Sequence, residues 1–346
     1  MVRLRRWRWI GVGIVVFLAL GLGLVLQRAN QWYHSPLVGV TQPTVIEFAS
    51  GESLNKLGQR LATQGIIHHP RWWIAFARWQ HKALHMRAGE YQIQPGTTPA
   101  GLVDQLVEGR VLLHAVTLVE GWSFATARAA IESNSLFRHS LAGVSDQVLM
   151  AKLGLNGLSP EGQFYPDTYR VARGSTDVDF WAQAHTHLQV ELARVWQSRQ
   201  ANLPLTTPYE AVILASLIEK ETAQVDERPV ISAVFINRLR KGMRLQTDPT
   251  VIYGLGRAYQ GRLHRVDLTT DTPYNTYTRA GLPPTPIALP GAAALQAAVQ
   301  PSNSTALYFV ASGTGDGRHV FSDSILEHNK AVQRYLRARR ALEATK

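Results

Sequence analysis

Cysteine is absent from this sequence of 346 residues, and its absence excludes several kinds of chemistry. The chain has no disulfide, no thiol nucleophile and no thiolate metal site. Without a cysteine there is also no lipobox, so we do not expect a lipoprotein. Internal repeats, low-complexity tracts and nucleic-acid-binding motifs are missing as well. The formal net charge of +11 therefore favours a membrane surface or an anionic polymer over nucleic acid as the partner.

Metal-binding patterns are equally scarce. His81 and His85 have the i,i+4 spacing of helical metal ligands, but no glutamate completes a His-Glu-x-x-His pattern. We therefore expect no metal and no cofactor. Tryptophans at positions 72, 73 and 79 fit either a core and module surface, which the sequence favours, or a platform for sugar stacking.

The N-terminus combines four arginines with a long uncharged run at residues 9–27. This run approaches the roughly 20 residues that a membrane-spanning helix needs. Its basic flank predicts that residues 1–8 stay in the cytoplasm and that the bulk of the chain is periplasmic, outside the inner membrane. The alternative is a cleaved signal peptide, but the run is long for one and no small-x-small site follows it. The arginines are Arg3, Arg5, Arg6 and Arg8.

Beyond this single-pass helix the sequence predicts a linker at residues 28–43 and two folded parts. The first part, residues 44–119, has the order strand, helix, helix, strand, followed by a further helix and strand, with Ser53 suited to cap the first helix. That βααβ order resembles a LysM-like carbohydrate-binding module. The second part, residues 120–346, reads as a mixed α/β domain, so the predicted fold class is α+β. It has helices at 180–200, 208–222, 229–241 and 323–344, strands at 307–310 and 319–321, and a loop-rich region after Gly242.

The helix predicted at residues 208–222 carries an acid on an apolar face. At about 100° per residue, Glu221 falls in the middle of three apolar residues, whereas Glu219 points the other way. Burial disfavours an ionised carboxyl group and raises its pKa, which suits a general acid near neutral pH. The alternative is a structural glutamate that reaches the backbone or an arginine such as Arg228. The three apolar residues are Leu214, Leu217 and Ile218.

Polar and aromatic residues concentrate in two loops that follow this helix, at 246–248 and 274–277. Gln and Asn amides both donate and accept, which matches sugar hydroxyl and acetamido groups. Tyrosine rings offer an apolar face to a pyranose. These loops are therefore candidate substrate-binding segments, and the candidates are Gln246, Thr247, Asp248, Tyr274, Asn275 and Tyr277.

Three segments together resemble the YceG family, the MltG-type endolytic murein transglycosylases of bacteria. They are ASLIEKET at 215–222, VFINRLR at 234–240 and GMRLQTDPTVIYG at 242–254. The motifs YNTY at 274–277, GLPP at 281–284 and YFV at 308–310 extend the match. The likeness covers most of the chain from about Thr44 onward and is densest between 210 and 330.

The resemblance implies a single catalytic glutamate in the helix, which we place on Glu221. Lytic transglycosylases carry a glutamate followed by Ser or Thr, and Glu221-Thr222 has that form. The pair at 274–275 is similar to their Ala-Tyr-Asn element, although Pro273 precedes the tyrosine. Glu161 begins EGQFYPDTY, which is similar to a family pattern with an aromatic residue at the third position, where this chain has Gln163. We add Glu161 to the predicted substrate-binding residues.

The resemblance further implies cleavage between MurNAc and GlcNAc within glycan strands, leaving 1,6-anhydroMurNAc ends. The predicted anchor makes nascent strands near the membrane the expected substrate. One acid suffices, because the C6 hydroxyl of the muramic acid is an internal nucleophile and no water needs activation. Asp248 could act as a second carboxylate, but we interpret it as a turn residue before Pro249 or a site organiser. Penicillin-binding synthases are the implied partners. The alternatives are a non-catalytic peptidoglycan-binding scaffold and a hydrolytic muramidase.

Overall fold

The computed structural model describes the backbone of residues 2–344 and the side chains of residues 13–340. The chain separates into two compact units. The first comprises the chain up to His114 together with Arg170–Gly174, and the second comprises Ala115–Tyr169 and the chain from Ser175 onward. The predicted boundary at 119/120 lies five residues beyond the observed change of unit.

The first unit contains four helices and two strands, in the order α1 (Val2–Tyr33), β1 (Thr44–Phe48), α2 (Leu54–Thr63), α3 (Pro70–Trp79), β2 (Gly89–Ile93) and α4 (Pro99–Glu108). β1 and β2 pair antiparallel with Thr44 opposite Ile93. The side chain of Ser53 caps α2 by accepting from the backbone N–H of Lys56, as predicted. The βααβ order is thus present, while its assignment as a LysM-like module stays a prediction.

Helix α1 runs six residues past the predicted end of the apolar run at Gln27. Its last turns enter the core of the first unit, where Ala29 and Tyr33 are buried and the ring of Tyr33 stacks on Phe76 at 4.5 Å. Leu37 and Val40 are buried there too. Four apolar side chains of residues 28–43 are therefore packed in a folded core, while most of the segment, including Val38, is exposed. Its assignment as a linker stays a prediction.

The segment Gly13–Tyr33 of α1 is long and apolar enough to cross a membrane, with a mean hydropathy of 1.7. Its apolar side chains are largely exposed in the isolated chain, such as Phe17 at 77%. The predicted cytoplasmic arginines at positions 3 to 8 lie outside the residues whose side chains are described.

The second unit contains helices and three short two-stranded sheets, one of which begins in the first unit. The elements are β3 (Leu113–Thr117), α5 (Phe124–Glu132), β4 (Phe137–Arg138), α6 (Asp146–Lys152), β5 (Thr168–Ala172), β6 (Ser175–Thr176), α7 (Asp177–Gln197), α8 (Pro208–Glu221), α9 (Arg228–Arg240), α10 (Asp248–Leu255), α11 (Arg265–Thr269), α12 (Ala292–Val299), β7 (Tyr308–Ala311), β8 (His319–Ser322) and α13 (Ile325–Ala344). β3 pairs with β5, β4 with β6, and β7 with β8.

Helix α8 is the centre of the second unit. Thr207 caps its first turn by accepting from the backbone N–H of Glu210 at 3.3 Å, and Pro208 occupies the first helical position, where no N–H is needed. Every residue from 211 to 218 is buried, against α7, α9, α10 and α12. The helix stops at Glu221 because Thr222 is extended, with φ −145° and ψ 139°.

The region after Gly242 holds three helices where the sequence predicted loops. α10 starts at Asp248, so Asp248 is the first residue of a helix and not part of a turn between elements. Pro249 lies in the first helical turn, where a missing backbone N–H costs no hydrogen bond. α12 is a short run of alanine, leucine and valine that packs against α8. A short helix buried on most sides has no amphipathic period, so its sequence gives no periodic signal.

Candidate active site

Glu221 lies at the last residue of α8 and is half-buried, with its carboxyl group facing a cavity of about 440 Å³. Burial raises the pKa of this carboxyl group to about 7. The hydroxyl of Thr247 donates a hydrogen bond to its Oε1 and opposes that shift, whereas the negative charge of Asp248 adds to it. The negative end of the helix dipole further disfavours the carboxylate at this position. Glu221 can therefore carry a proton near neutral pH.

Glu219, two residues earlier, has a different environment. Arg228 donates from Nη2 to its Oε1 at 2.8 Å, and the backbone N–H of Gly291 donates to its Oε2 at 3.0 Å. Both side chains of this ion pair are only 6% exposed. Arg228 thus pairs with Glu219 and not with Glu221, which forms no salt bridge with any described residue. Because α8 is buried on every side, the predicted apolar face does not distinguish Glu221 from Glu219. The two acids differ instead in their partners, since only Glu219 forms an ion pair with an arginine.

Thr247 is held rigidly by a network of threonines. Its N–H donates to the Oγ1 of Thr276 at 3.1 Å, and its carbonyl accepts from the hydroxyl of Thr250 at 2.8 Å. The hydroxyls of Thr250 and Thr276 are themselves 2.9 Å apart. Gln246, just before it, has a φ of +52°, which turns the chain sharply into α10. The network fixes the Thr247 hydroxyl, and with it one oxygen of Glu221.

Asp248 and Tyr277 lie on the wall of the same cavity. The hydroxyl of Tyr277 donates to Oδ1 of Asp248 at 2.6 Å, and burial together with this bond raises the pKa of Tyr277. Gln246 also lines the cavity and accepts from Nη1 of Arg238 at 3.3 Å. Of the predicted residues, Glu221, Gln246, Asp248 and Tyr277 thus line one space, and Thr247 contacts it through Glu221.

The other three predicted site residues form bonds inside the protein. The amide of Asn275 is buried and donates to the carbonyls of Asp267, Leu268 and Thr270, so it closes its own loop. The hydroxyl of Tyr274 lies 2.8 Å from that of Thr285. Neither residue lines the cavity of Glu221. Their contact with a substrate stays a prediction.

Glu161 is buried at 4% exposure and does not line that cavity either. It accepts from the backbone N–H of Phe124 at 2.9 Å, at the start of α5, and from the hydroxyl of Tyr253 at 3.1 Å. Burial raises the pKa of Glu161 to about 7. These bonds join α5, the 161–169 loop and α10, which gives the residue a structural role, while substrate contact stays a prediction.

Sequence reasoning did not select three polar residues that line the cavity: Arg238, Tyr308 and His328. Arg238 is buried, donates to the carbonyls of Leu307 and Leu245 at 2.6 and 2.9 Å, and lies 5.1 Å from the ring centre of Tyr308. His328 stacks on that ring at 5.2 Å. Burial lowers the pKa of both Arg238 and His328. Arg238 stands inside the VFINRLR motif, which was the available signal for it.

The cavity thus offers a protonatable carboxyl group, a second carboxylate, an amide, a guanidinium group and aromatic rings. Such a mixture of apolar faces and directional polar groups suits a sugar chain. In the described part of the chain, no group of three or more histidines, aspartates and glutamates is placed to hold a metal ion. Fold and site together define an α+β protein whose second unit places the carboxyl groups of Glu221 and Asp248 in one open cavity.

The model of the YceG-like family matches residues 46–334, and the chain belongs to this family. It is similar to a protein of Bacillus subtilis named endolytic murein transglycosylase, with 29% identity over 308 residues that span 84% of each chain. A protein of the same name from Streptococcus pneumoniae is 25% identical over 322 residues, which cover 84% of this chain and 58% of that one.

A solved crystal structure gives the same picture of the fold. It is of a yceG-like protein from Listeria monocytogenes, 25% identical, with a TM-score of 0.53. The likeness covers 84% of this chain and 98% of the other. The mixed α+β fold is therefore that of the family.

Proposed function

We propose that this protein is an endolytic peptidoglycan lytic transglycosylase that cleaves the bond between MurNAc and GlcNAc within glycan strands. The names of the B. subtilis and S. pneumoniae relatives support the reaction class. The observation that carries the proposal is the carboxyl group of Glu221, which has a pKa of about 7, no basic partner and an open cavity before it.

In the proposed reaction Glu221 acts first as an acid and then as a base. Its protonated form, present below a pH of about 7, donates a proton to the glycosidic oxygen as the bond from that oxygen to C1 breaks. The C6 hydroxyl oxygen of the same MurNAc bonds to C1, and its proton returns to the carboxylate of Glu221. The product is a 1,6-anhydro ring, water is not consumed, and the acid is regenerated.

Bonds around Glu221 fit both roles. The hydroxyl of Thr247 holds one carboxyl oxygen, which leaves the other available to the substrate. Gln246, Tyr277, Arg238 and Tyr308 line the walls and are the candidates for holding the sugars on either side of the bond. Residues Tyr274, Asn275 and Glu161 would then support these walls from behind.

A hydrolytic muramidase is the second candidate, because Asp248 lines the same cavity as an exposed carboxylate. A hydrolase uses two carboxyl groups, one to protonate the leaving oxygen and one to attack or to activate water. The hydroxyl of Tyr277 occupies one oxygen of Asp248 at 2.6 Å, which favours a binding role over a chemical one.

The proposed location is the inner membrane, with α1 as a single span, the N-terminus in the cytoplasm and both units in the periplasm. Such an anchor would restrict the enzyme to nascent strands near the bilayer, where penicillin-binding synthases are the expected partners. A glycan-binding role for the LysM-like module belongs to the same proposal. The high net charge of +11 suits an anionic wall and bilayer, and no nucleic acid is involved.

The test is analysis of muropeptides from purified sacculi digested with the wild-type protein and with the Glu221→Gln variant. We expect 1,6-anhydroMurNAc ends from the wild type and a loss of at least about 100-fold in their rate of formation with the variant, since the acid is removed. Asp248→Asn is the matched variant, which removes the second carboxylate of the cavity and should still give anhydro ends.

Other products would identify the alternatives. A muramidase would leave reducing MurNAc ends, heavier by one water per cleaved bond, and would lose activity with Asp248→Asn. A non-catalytic scaffold would produce no new ends with either protein. Either result contradicts the proposal.

A further inference from the structure

An apolar groove lies in the first unit between the end of α1 and helix α3. We call it the aromatic groove, formed chiefly by Leu26 and Ala29 of α1 and by Trp72, Phe76 and Trp79 of α3. Its lining is almost entirely apolar carbon, and it encloses about 500 Å³. Two side chains, one in the groove and one in the turn that follows α3, are unusually exposed for their type: Trp79 at 74% and Leu84, five residues later, at 95%. In water, such a surface leaves apolar area uncovered.

The sequence stretch that contains α3 carries only basic charges, although Lys82 and Arg60 form ion pairs with Asp104 and Glu52 outside it. Between Glu52 and Glu90 there is no acidic residue, while six lysines and arginines and four histidines fall in the same stretch. Arg71 and Arg78, on α3 itself, are exposed and form no salt bridge with the described residues. The six are Lys56, Arg60, Arg71, Arg78, Lys82 and Arg87. A basic and aromatic surface of this kind complements an anionic layer next to an apolar one.

The position of the groove along α1 gives its depth in a bilayer. The uncharged run ends at Gln27, and a helix rises about 1.5 Å per residue, so Tyr33 lies roughly 9 Å beyond it. That distance is comparable to the headgroup layer, which adds about 5–8 Å on each side of the hydrocarbon core. Trp72 contacts Trp32 at 6.0 Å between ring centres, and Phe76 stacks on Tyr33. Helix α3 thus packs against the turns of α1 that directly follow the uncharged run, where the proposed span would leave the hydrocarbon core of the bilayer.

We propose that α3 and the turn after it bind the membrane surface, with Trp79 and Leu84 inserted among the acyl chains and Arg71 and Arg78 on anionic headgroups. The inference rests on the proposed membrane span of α1. The groove is continuous with the lipid-exposed side of α1, because Leu26 belongs to both. Tryptophan in this layer has its apolar ring in the lipid boundary and its N–H in the headgroups. The first unit is therefore held on the bilayer by two contacts, the span and α3.

The absence of cysteine makes a site-specific test possible in the full-length protein. Single-cysteine variants Leu84→Cys, Val45→Cys and Phe17→Cys are labelled with the polarity-sensitive dye NBD and reconstituted into nanodiscs. Val45 is the matched control, exposed at 51% on β1 of the same unit, and Phe17 reports on the span. The nanodiscs contain phosphatidylethanolamine with phosphatidylglycerol, or phosphatidylcholine alone, and nitroxide-labelled lipid is the quencher.

We expect a blue-shifted emission and strong quenching for the labels at positions 84 and 17, and neither effect at position 45. The effect at position 84 should weaken in phosphatidylcholine and in the double variant Arg71→Gln, Arg78→Gln, while position 17 is unaffected. Salt should weaken it in the same way, since exposed charges are screened.

A label at position 84 that remains in water while the label at position 17 is in lipid overturns this proposal and leaves the span intact. A water-exposed label at position 17 removes the proposed span and this proposal with it. Shielding of position 84 only after glycan strands are added would show a sugar-binding surface instead, and would also overturn it. None of these outcomes depends on cleavage by Glu221, so they are independent of the enzymatic test.

Discussion

The carboxyl group of Glu221 lowers the stability of the folded protein when it is ionised, yet the same burial lets it hold a proton near neutral pH. The folded protein holds this group with a pKa of about 7, against an ordinary value of 4.5, and offers it one hydroxyl but no salt bridge from the described residues. Glu219 is also buried, yet its charge is compensated by Arg228. The difference in partner leaves Glu221 able to hold a proton near neutral pH and places Glu219 in an ion pair with Arg228.

Replacing Glu221 by Gln should stabilise the protein at alkaline pH. Between pH 4.5 and 7 the folded state binds more protons at this site than the unfolded state, so the free energy of unfolding falls as the pH rises and stays lowered above 7. The uncharged variant avoids this loss, and we expect it to be more stable at pH 8 by up to about 3 kcal/mol. At pH 4 the two proteins should be nearly equal. Urea unfolding at both values measures the difference.

Glu219→Gln is the control for this measurement. It leaves Arg228 buried without a carboxylate, so the free energy of unfolding at pH 8 should fall rather than rise. If Glu221→Gln and the wild type are equally stable at pH 8, the fold does not raise the pKa of Glu221.

At this scale the sequence selected several residues that line one cavity, although the reasoning from the apolar face was incomplete. Helical spacing and the Glu-Thr pair selected Glu221, and the cavity does open at its carboxyl group. The assumed apolar face does not separate it from Glu219, since α8 is buried all round. Arg238, Tyr308 and His328 come from α9, β7 and α13, and only tertiary folding brings them together.

Among the connecting elements, the segment at 161–169 shows that a family-like sequence motif can have a structural role. Gly162 has a φ of +71°, and a Cβ atom there would lie 2.4 Å from Cγ of Pro286, in the loop that follows GLPP. The preceding Glu161 holds the N–H of Phe124 at the start of α5. The Glu-Gly pair therefore serves the contact between two loops, with glycine required both for its backbone angle and for the close approach.

Gly162→Ala should destabilise the second unit more than Gly157→Ala does. Both glycines have positive φ, at +71° and +78°, so both variants strain the backbone by about 1–2 kcal/mol. Only Gly162 adds a collision, since nothing lies within 4 Å of a Cβ atom at Gly157. We expect a further loss of about 1–3 kcal/mol for Gly162→Ala. Thermal unfolding of both variants measures it, and equal losses would contradict the role of Pro286.

Elements with a clear period or a cap were predictable, and buried short elements were not. α8 and α9 begin and end within one residue of their predicted limits. α12 was missed, because it consists of alanine, leucine and valine apart from Gln296 and so shows no amphipathic period. α10 was taken for a turn because Asp-Pro is common in turns as well as at helix starts.

On the scale of the whole molecule, the sequence anticipated a membrane helix followed by two folded parts. It did not anticipate that the helix itself contributes to the first core. Lipid and a protein core are both apolar environments, and leucine, alanine and tyrosine are suited to either. The composition of a helix therefore does not show where it would pass from one environment into the other.

The start point of a truncated protein should therefore matter. A chain that begins at residue 28 keeps Ala29, Tyr33, Leu37 and Val40, whereas one that begins at residue 44 loses all four from the first core. Removal of the buried Tyr33 alone should cost about 3–5 kcal/mol, so the shorter chain should expose its first unit. Hydrogen exchange over residues 44–114 measures this. Equal protection in the two chains would show that residues 28–43 are dispensable for the fold.

The unbroken course of α1 has a mechanical consequence. A hydrophobic helix whose length exceeds the local bilayer thickness accommodates the mismatch by tilting. In the proposed arrangement α1 has no hinge between its lipid-exposed turns and Tyr33, which is fixed in the folded core. Any change in the tilt of α1 that a thinner or thicker bilayer imposes would then rotate the first unit together with the helix. Lipid composition would therefore set the angle of this unit to the membrane.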